Sequence, residues 1–177
     1  MSDVFVEYLV KRKNTTKIML LKALIVLGAI VFSLIMLIVS FMFSTFSFIF
    51  WCLIVAGIYG AVYLMRTFKV EYEYIVTNGE MDVDKIMAQQ RRKRLITINF
   101  RNIEIMAPMY GEHKQEFENQ SIPKTIDASI SLSPDEKGAY FIVVRHEKPG
   151  LLRLVFNPDE RIIQSAKLVA PRKVFTN

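Results

Sequence analysis

The sequence is short of several things, and each shortage removes a class of protein. There is one cysteine, Cys52, so no intramolecular disulfide can form. The two histidines, His113 and His146, fall in a loop and at a strand end, with no second ligand at metal-site spacing. No Gly-rich phosphate loop, nucleophile elbow or metalloprotease motif is present. No metal, cofactor or catalytic residue is therefore implied, and an enzyme of unrecognised type is the weakest of three function classes. The largest gap is in charge. From Ala23 to Met65 there is no Asp, Glu, Lys, Arg or His.

That gap carries much of the 52% hydrophobic content. As one helix it would run roughly 65 Å, twice a bilayer core of about 30 Å. Two spans fit it. Ser44, Thr45 and Ser47 are the polar cluster near its middle, which predicts helices at 18–43 and 46–65. Lys22 lies early in the first, where its stem can reach the interface. The apolar run is far longer than the roughly 7–15 residues of a signal peptide.

Charge orients the hairpin. Lys11, Arg12, Lys13 and Lys17 precede the first span, Arg66 and Lys69 follow the second, and the turn between them is uncharged. Positive flanks stay inside, so a multi-pass protein of the cell membrane is expected, with both termini cytoplasmic. The formal +6 divides evenly between residues 1–22 and 66–177. The cytoplasmic part therefore lacks the basic face that nucleic-acid binding needs.

Residues 1–17 form an expected cytoplasmic segment. Val4, Phe5, Tyr8 and Leu9 share one face at helical spacing, which reads as a short amphipathic helix on the inner leaflet or as a tail without order. Beyond Lys69 the period becomes two. In "KVEYEYIV" Val70, Tyr72, Tyr74 and Val76 point one way, and Glu71 and Glu73 the other. Asn78-Gly79 is a hairpin turn signal, and "MDVDKIMA" alternates after it. Further strands are expected at 94–100, 102–106, 125–132, 139–146 and 151–156, with turns at 133–138 and 148–150. Asn157 should cap a helix with Pro158 at its first position, buried through Ile162, Ile163, Ala166, Val169 and Ala170, and ended by Pro171.

Seven strands and then one amphipathic helix is a specific order. In "VEYEYIVTNGEMDVDKI", "RRKRLITINFRNIEIMAP" and "LVFNPDERIIQSAKLVAPRKVF" the chain resembles a bacterial pleckstrin-homology-like (PH-like) domain. Over nearly its full length it resembles a bacterial membrane family in which two transmembrane helices precede such a domain. The resemblance implies a bent antiparallel sheet or barrel over 66–177 with a C-terminal capping helix, and no reaction. Phosphoinositide-binding relatives carry their basic motif in the first hairpin loop. Here that loop is "TNGE", short and acidic.

Two charged groups remain. With Asn78 and Gly79 as the loop, Tyr74 faces Val83, Val70 faces Met87 and Arg66 faces Arg91. "QQRRKR" then joins two strands at the membrane-proximal end, and Arg91, Arg92, Lys93 and Arg94 rest on the anionic inner leaflet beside Arg66, Lys69 and the basic N-terminal segment. A solvated turn is the alternative. No aromatic residue interleaves the run to stack a base. Glu71, Glu73, Asp82 and Asp84 share the outer face of the first hairpin. They form a solvated face partly neutralised by neighbouring Arg or Lys, a dock for a basic partner, or a hard-cation site. Met81, Met87, Met106 and Met109 with Tyr72 and Tyr74 read as ordinary core packing, with the lining of a ligand groove as the alternative. Gly57 and Ala61 permit close helix contact, within the hairpin or in a homo-oligomer. The expected function is a membrane-anchored PH-like binding or scaffold module, with a non-catalytic subunit of a larger membrane complex as the alternative. Anionic lipid is the first partner, a protein the second.

Overall fold

The structure is a computed structural model that describes residues 5–118, 121–131, 138–146 and 150–176. It divides into two compact units, residues 14–69 and residues 1–13 with 70–177.

The first unit is a helical hairpin. α1 (Thr16–Met42) and α2 (Ser47–Thr67) are joined by a single 3-10 turn at Ser44–Phe46. Both helices are long and apolar enough to cross a membrane. They approach closely at Gly57: a Cβ there would lie 2.8 Å from the Phe32 ring, so only glycine admits that contact unshifted. Gly28 and Gly60 face open space. Thr15 stands at the N-cap of α1 without a side-chain capping bond. Lys22 Nζ donates to Asn14 Oδ1 at 2.9 Å, reaching back toward the helix start.

The second unit holds two four-stranded sheets. β1 (Phe5–Lys11), β2 (Val70–Thr77), β3 (Glu80–Met87) and β4 (Arg91–Asn99) form the first in that order. β5 (Ile103–Pro108), β6 (Lys124–Asp127), β7 (Tyr140–His146) and β8 (Gly150–Phe156) form the second in the order β5-β7-β8-β6. The hairpin register follows from its turn. Asn78 and Gly79 both have positive φ, as a type I′ turn requires. Tyr74 accordingly faces Val83, and Val70 faces Met87.

Several expectations differ from the structure. Residues 5–11 are not a surface helix. They are an edge strand paired antiparallel with β2, because Val6, Tyr8 and Val10 repeat every second residue and Val6 and Val10 are buried. The pairing of Arg66 with Arg91 does not form, since Arg66 lies in α2 and β2 begins at Val70. The strand expected at 125–132 stops at Asp127, whose Oδ1 accepts from Ser129 N at 3.0 Å and from Ser129 Oγ. This local turn competes with the ladder. β6 also runs parallel to β8. Finally, Asp159 rather than Asn157 caps α4 (Glu160–Val169), accepting from Ile162 N. The loop in which His113 was expected runs into a short helix, α3 (Lys114–Glu118). Most of the turns expected at 133–138 and 148–150 lies outside the described residues.

The two sheets and α4 share one core, with Tyr72, Tyr74, Met81, Ile98, Phe100, Ile142, Leu154, Phe156 and Ile162 inside it. The helix α4 covers the end of the sheet at the Asn78-Gly79 turn, where a Cβ on Gly79 would meet Val169 Cγ2 at 3.1 Å. Past it the chain rejoins the second sheet, as Phe175 N donates to Met106 O at 2.8 Å.

Candidate functional site

The charged residues of the first sheet sort by strand alternation, and one irregularity decides how. Going up β4, Val83 pairs with Ile96 but Asp84 pairs with Arg94, so Leu95 is an extra residue, a bulge. A one-residue slip turns every following side chain to the other face. The bulge thereby brings Arg92 and Arg94 to the outer face, with the carboxylates, and sends Arg91 and Lys93 to the core side. The run is not a link. It lies in β4, and the turn before it is Ala88–Gln90, with Ala88 and Gln89 at positive φ.

The outer face is an ion-pair network. Arg92 pairs with Glu73 and lies 3.8 Å from Asp84. Arg94 reaches Asp84 Oδ1 at 2.9 Å and Asp82 Oδ2 at 2.7 Å. Lys11 sits 4.0 Å from Glu71, to which Gln89 Nε2 also donates. Thr97 and Asn99 extend the ladder by donating to Asp82 and Glu80. Covered in this way, Glu71, Glu73 and Asp84 are buried, Asp84 to 2% exposure. The expected solvated acidic face is therefore a neutralised and largely buried one. Burial pushes the Glu73 carboxyl above its ordinary range against the pull of Arg92, and the neighbouring Glu7 carboxyl adds to the rise. Among the described residues no group of three ligating side chains is disposed to hold a metal ion.

The core side differs at one end. Its cross-strand rows run Val10–Tyr72–Lys85–Lys93 and Arg12–Val70–Met87–Arg91. Arg12 turns inward, donating to Tyr72 Oη at 2.8 Å and to Asp127 Oδ2 at 2.7 Å, so it ties the end of β1 to the second sheet. Lys13 follows, its N–H donating to Ile130 O at 2.9 Å. Lys85 is half-buried, and Arg91 and Lys93 are exposed. Of the ten cations expected at the membrane, Lys17, Arg66 and Lys69 belong to the helical unit and are exposed. Lys11, Arg12, Lys13 and Arg91–Arg94 gather at the end of the first sheet where the chain passes to α1 and arrives from α2.

Sequence reasoning missed Lys85 and the Arg12–Tyr72–Asp127 cluster. The Lys85 signal was present, since alternation from Met81 and Val83 puts it on the core side. Asp127 gave none, because its partner is 115 residues away.

A family model described as Bacterial PH-like domain (DUF6106) matches residues 2–176. The chain belongs to this family. The match takes in both apolar helices as well as the sheets, so the hairpin is part of the bacterial PH-like family's unit. No curated protein and no solved structure matches the chain.

Proposed function

We propose that the chain is a membrane-anchored PH-like binding module of the cell membrane, with both termini in the cytoplasm. The basic end of its first sheet faces the anionic inner leaflet. One observation carries this. The cations of β1 and β4 collect at the end where both short connections, Asn14–Thr15 and Phe68–Lys69, lead to helices of membrane-spanning length. The cation excess on both flanks of the apolar hairpin supports the orientation. Because the helices already anchor the chain, the surface charges orient the module rather than recruit it, at about 1 kcal/mol for each basic group not already paired with a carboxylate, Arg91 and Lys93 among them.

Topology is tested on the full-length chain in sealed membrane vesicles. Single cysteines placed at residue 2 and residue 176, in a Cys52→Ser background, should react with an impermeant maleimide only from the cytoplasmic side. Labelling of either terminus from the outside would refute the arrangement. A photo-crosslinker at position 93 should capture phospholipid.

A non-catalytic subunit of a larger membrane complex is the second reading. It is favoured by an apolar groove of about 460 Å³ between α1 and α2, lined by Ile30, Leu34, Trp51 and Ile58 among others. Protein adducts from crosslinkers in this groove, with none from β4, would select it.

A further inference from the structure

The basic run is divided in two, and the halves have different surroundings. Arg92 and Arg94 face Glu73, Asp82 and Asp84. They are occupied by the protein's own carboxylates. Arg91 and Lys93 lie on the other face with Lys85, which is paired directly opposite Lys93. Among the described residues none of these three cations has a carboxylate partner, although the network one strand-face away pairs its carboxylates with arginine and lysine.

Directly opposed like charges destabilise a sheet. Their Cβ atoms stand about 5 Å apart, a spacing at which two long ammonium side chains can converge on one anion. The buried Tyr72 is the cross-strand neighbour of the half-buried Lys85 on the same face. A singly charged anion would offset one ammonium and leave the other. A phosphate monoester carries up to two charges and three acceptor oxygens, enough for both lysines and the Arg91 guanidinium.

We infer that Lys85, Lys93 and Arg91 form a subsite for the phosphate monoester headgroup of an anionic membrane lipid, while Arg92 and Arg94 hold the sheet together. This rests on the membrane-facing orientation proposed above, which supplies a lipid rather than a soluble phosphate at that end. It adds a residue, Lys85, and a headgroup chemistry that the orientation alone does not demand.

The test uses the full-length chain in mild detergent, with lipid retention read by native mass spectrometry. The probes are short-chain phosphatidic acid, a monoester, and phosphatidylglycerol, a diester. The wild type should retain phosphatidic acid about ten-fold better. Lys85→Gln/Lys93→Gln should abolish that preference and, with the repulsion gone, melt no lower than wild type without lipid. Lys93→Gln alone, at an exposed position, should weaken the preference if the double variant does not fold. Arg92→Gln should lower the melting temperature and keep the preference. Equal retention of the two lipids by the wild type would overturn the subsite, as would an unchanged preference in folded Lys85→Gln/Lys93→Gln. Glycerol 3-phosphate displacing the lipid at equal concentration would overturn the lipid as its source. None of these results touches the orientation, which fails only on the vesicle labelling and crosslinking described above.

Discussion

Glu73 and Tyr74 are adjacent in the chain and sit on opposite faces of β2, and both are buried. Tyr74 Oη donates to Ala128 O at 2.6 Å and accepts from Asn157 N at 3.3 Å. Burial raises its pKa beyond any physiological range, so it remains a donor throughout. Tyr74→Phe strands both backbone groups, and thermal unfolding in detergent should register a loss of about 1–3 kcal/mol. Glu73 behaves differently. Its unfolded carboxyl titrates near 4.5, and its folded value is higher. The stability linked to its proton is thus complete below about pH 4.5 and lost as pH rises through the folded value. Glu73→Gln mimics the protonated form. Its melting temperature should gain on that of wild type between pH 4 and pH 7, and a gap constant over this range would contradict the assignment.

At the scale of elements, β1 is where helical and strand spacing compete. Val4, Phe5, Tyr8 and Leu9 fit a helix, while Val6, Tyr8 and Val10 fit a strand, and twelve residues of sequence do not choose. The neighbouring sheet chooses, because β2 would otherwise expose an unpaired edge and the side of Tyr72. Two substitutions separate the readings. Val10→Asp puts a carboxylate into the core and should cost more than about 3 kcal/mol. Leu9→Thr, on the outer face at 42% exposure, should stay within about 0.5 kcal/mol. Equal effects in chemical unfolding would argue against the strand. The β2–β3 hairpin lies at the other extreme. Its register was legible because the Asn-Gly turn and period-two alternation both point to it. The β4 register was not, because a bulge leaves no mark in "RRKRLITINF" that alternation can detect.

For the whole molecule, the sheet unit is built from two stretches of chain interrupted by the hairpin. The interruption opens at a paired position: Arg12 N donates to Val70 O at 3.0 Å. Residues 5–13 joined to 70–176 by a two-residue Asn-Gly turn should therefore give a soluble, cooperatively melting domain. Residues 70–176 alone lack β1, leave Tyr72 and Tyr74 uncovered on one side, and should aggregate or melt far lower. Size-exclusion chromatography and circular dichroism distinguish the outcomes, and equal behaviour of the two proteins would mean that β1 is dispensable.

Sequence by itself determined the two apolar helices, the turn to period-two patterning after Lys69, the Asn-Gly register and the helix that follows the last strand. Each is a local signal: a run without charge, an alternation, a turn chemistry, a spacing. Tertiary structure alone decided that residues 5–11 are a strand, that Arg92 and Arg94 neutralise buried carboxylates, and that Lys85 joins Arg91 and Lys93. Those outcomes depend on which strand lies alongside which, and on a single extra residue at Leu95. A charge's role is set by the partner across the sheet, and the chain does not name that partner until it folds.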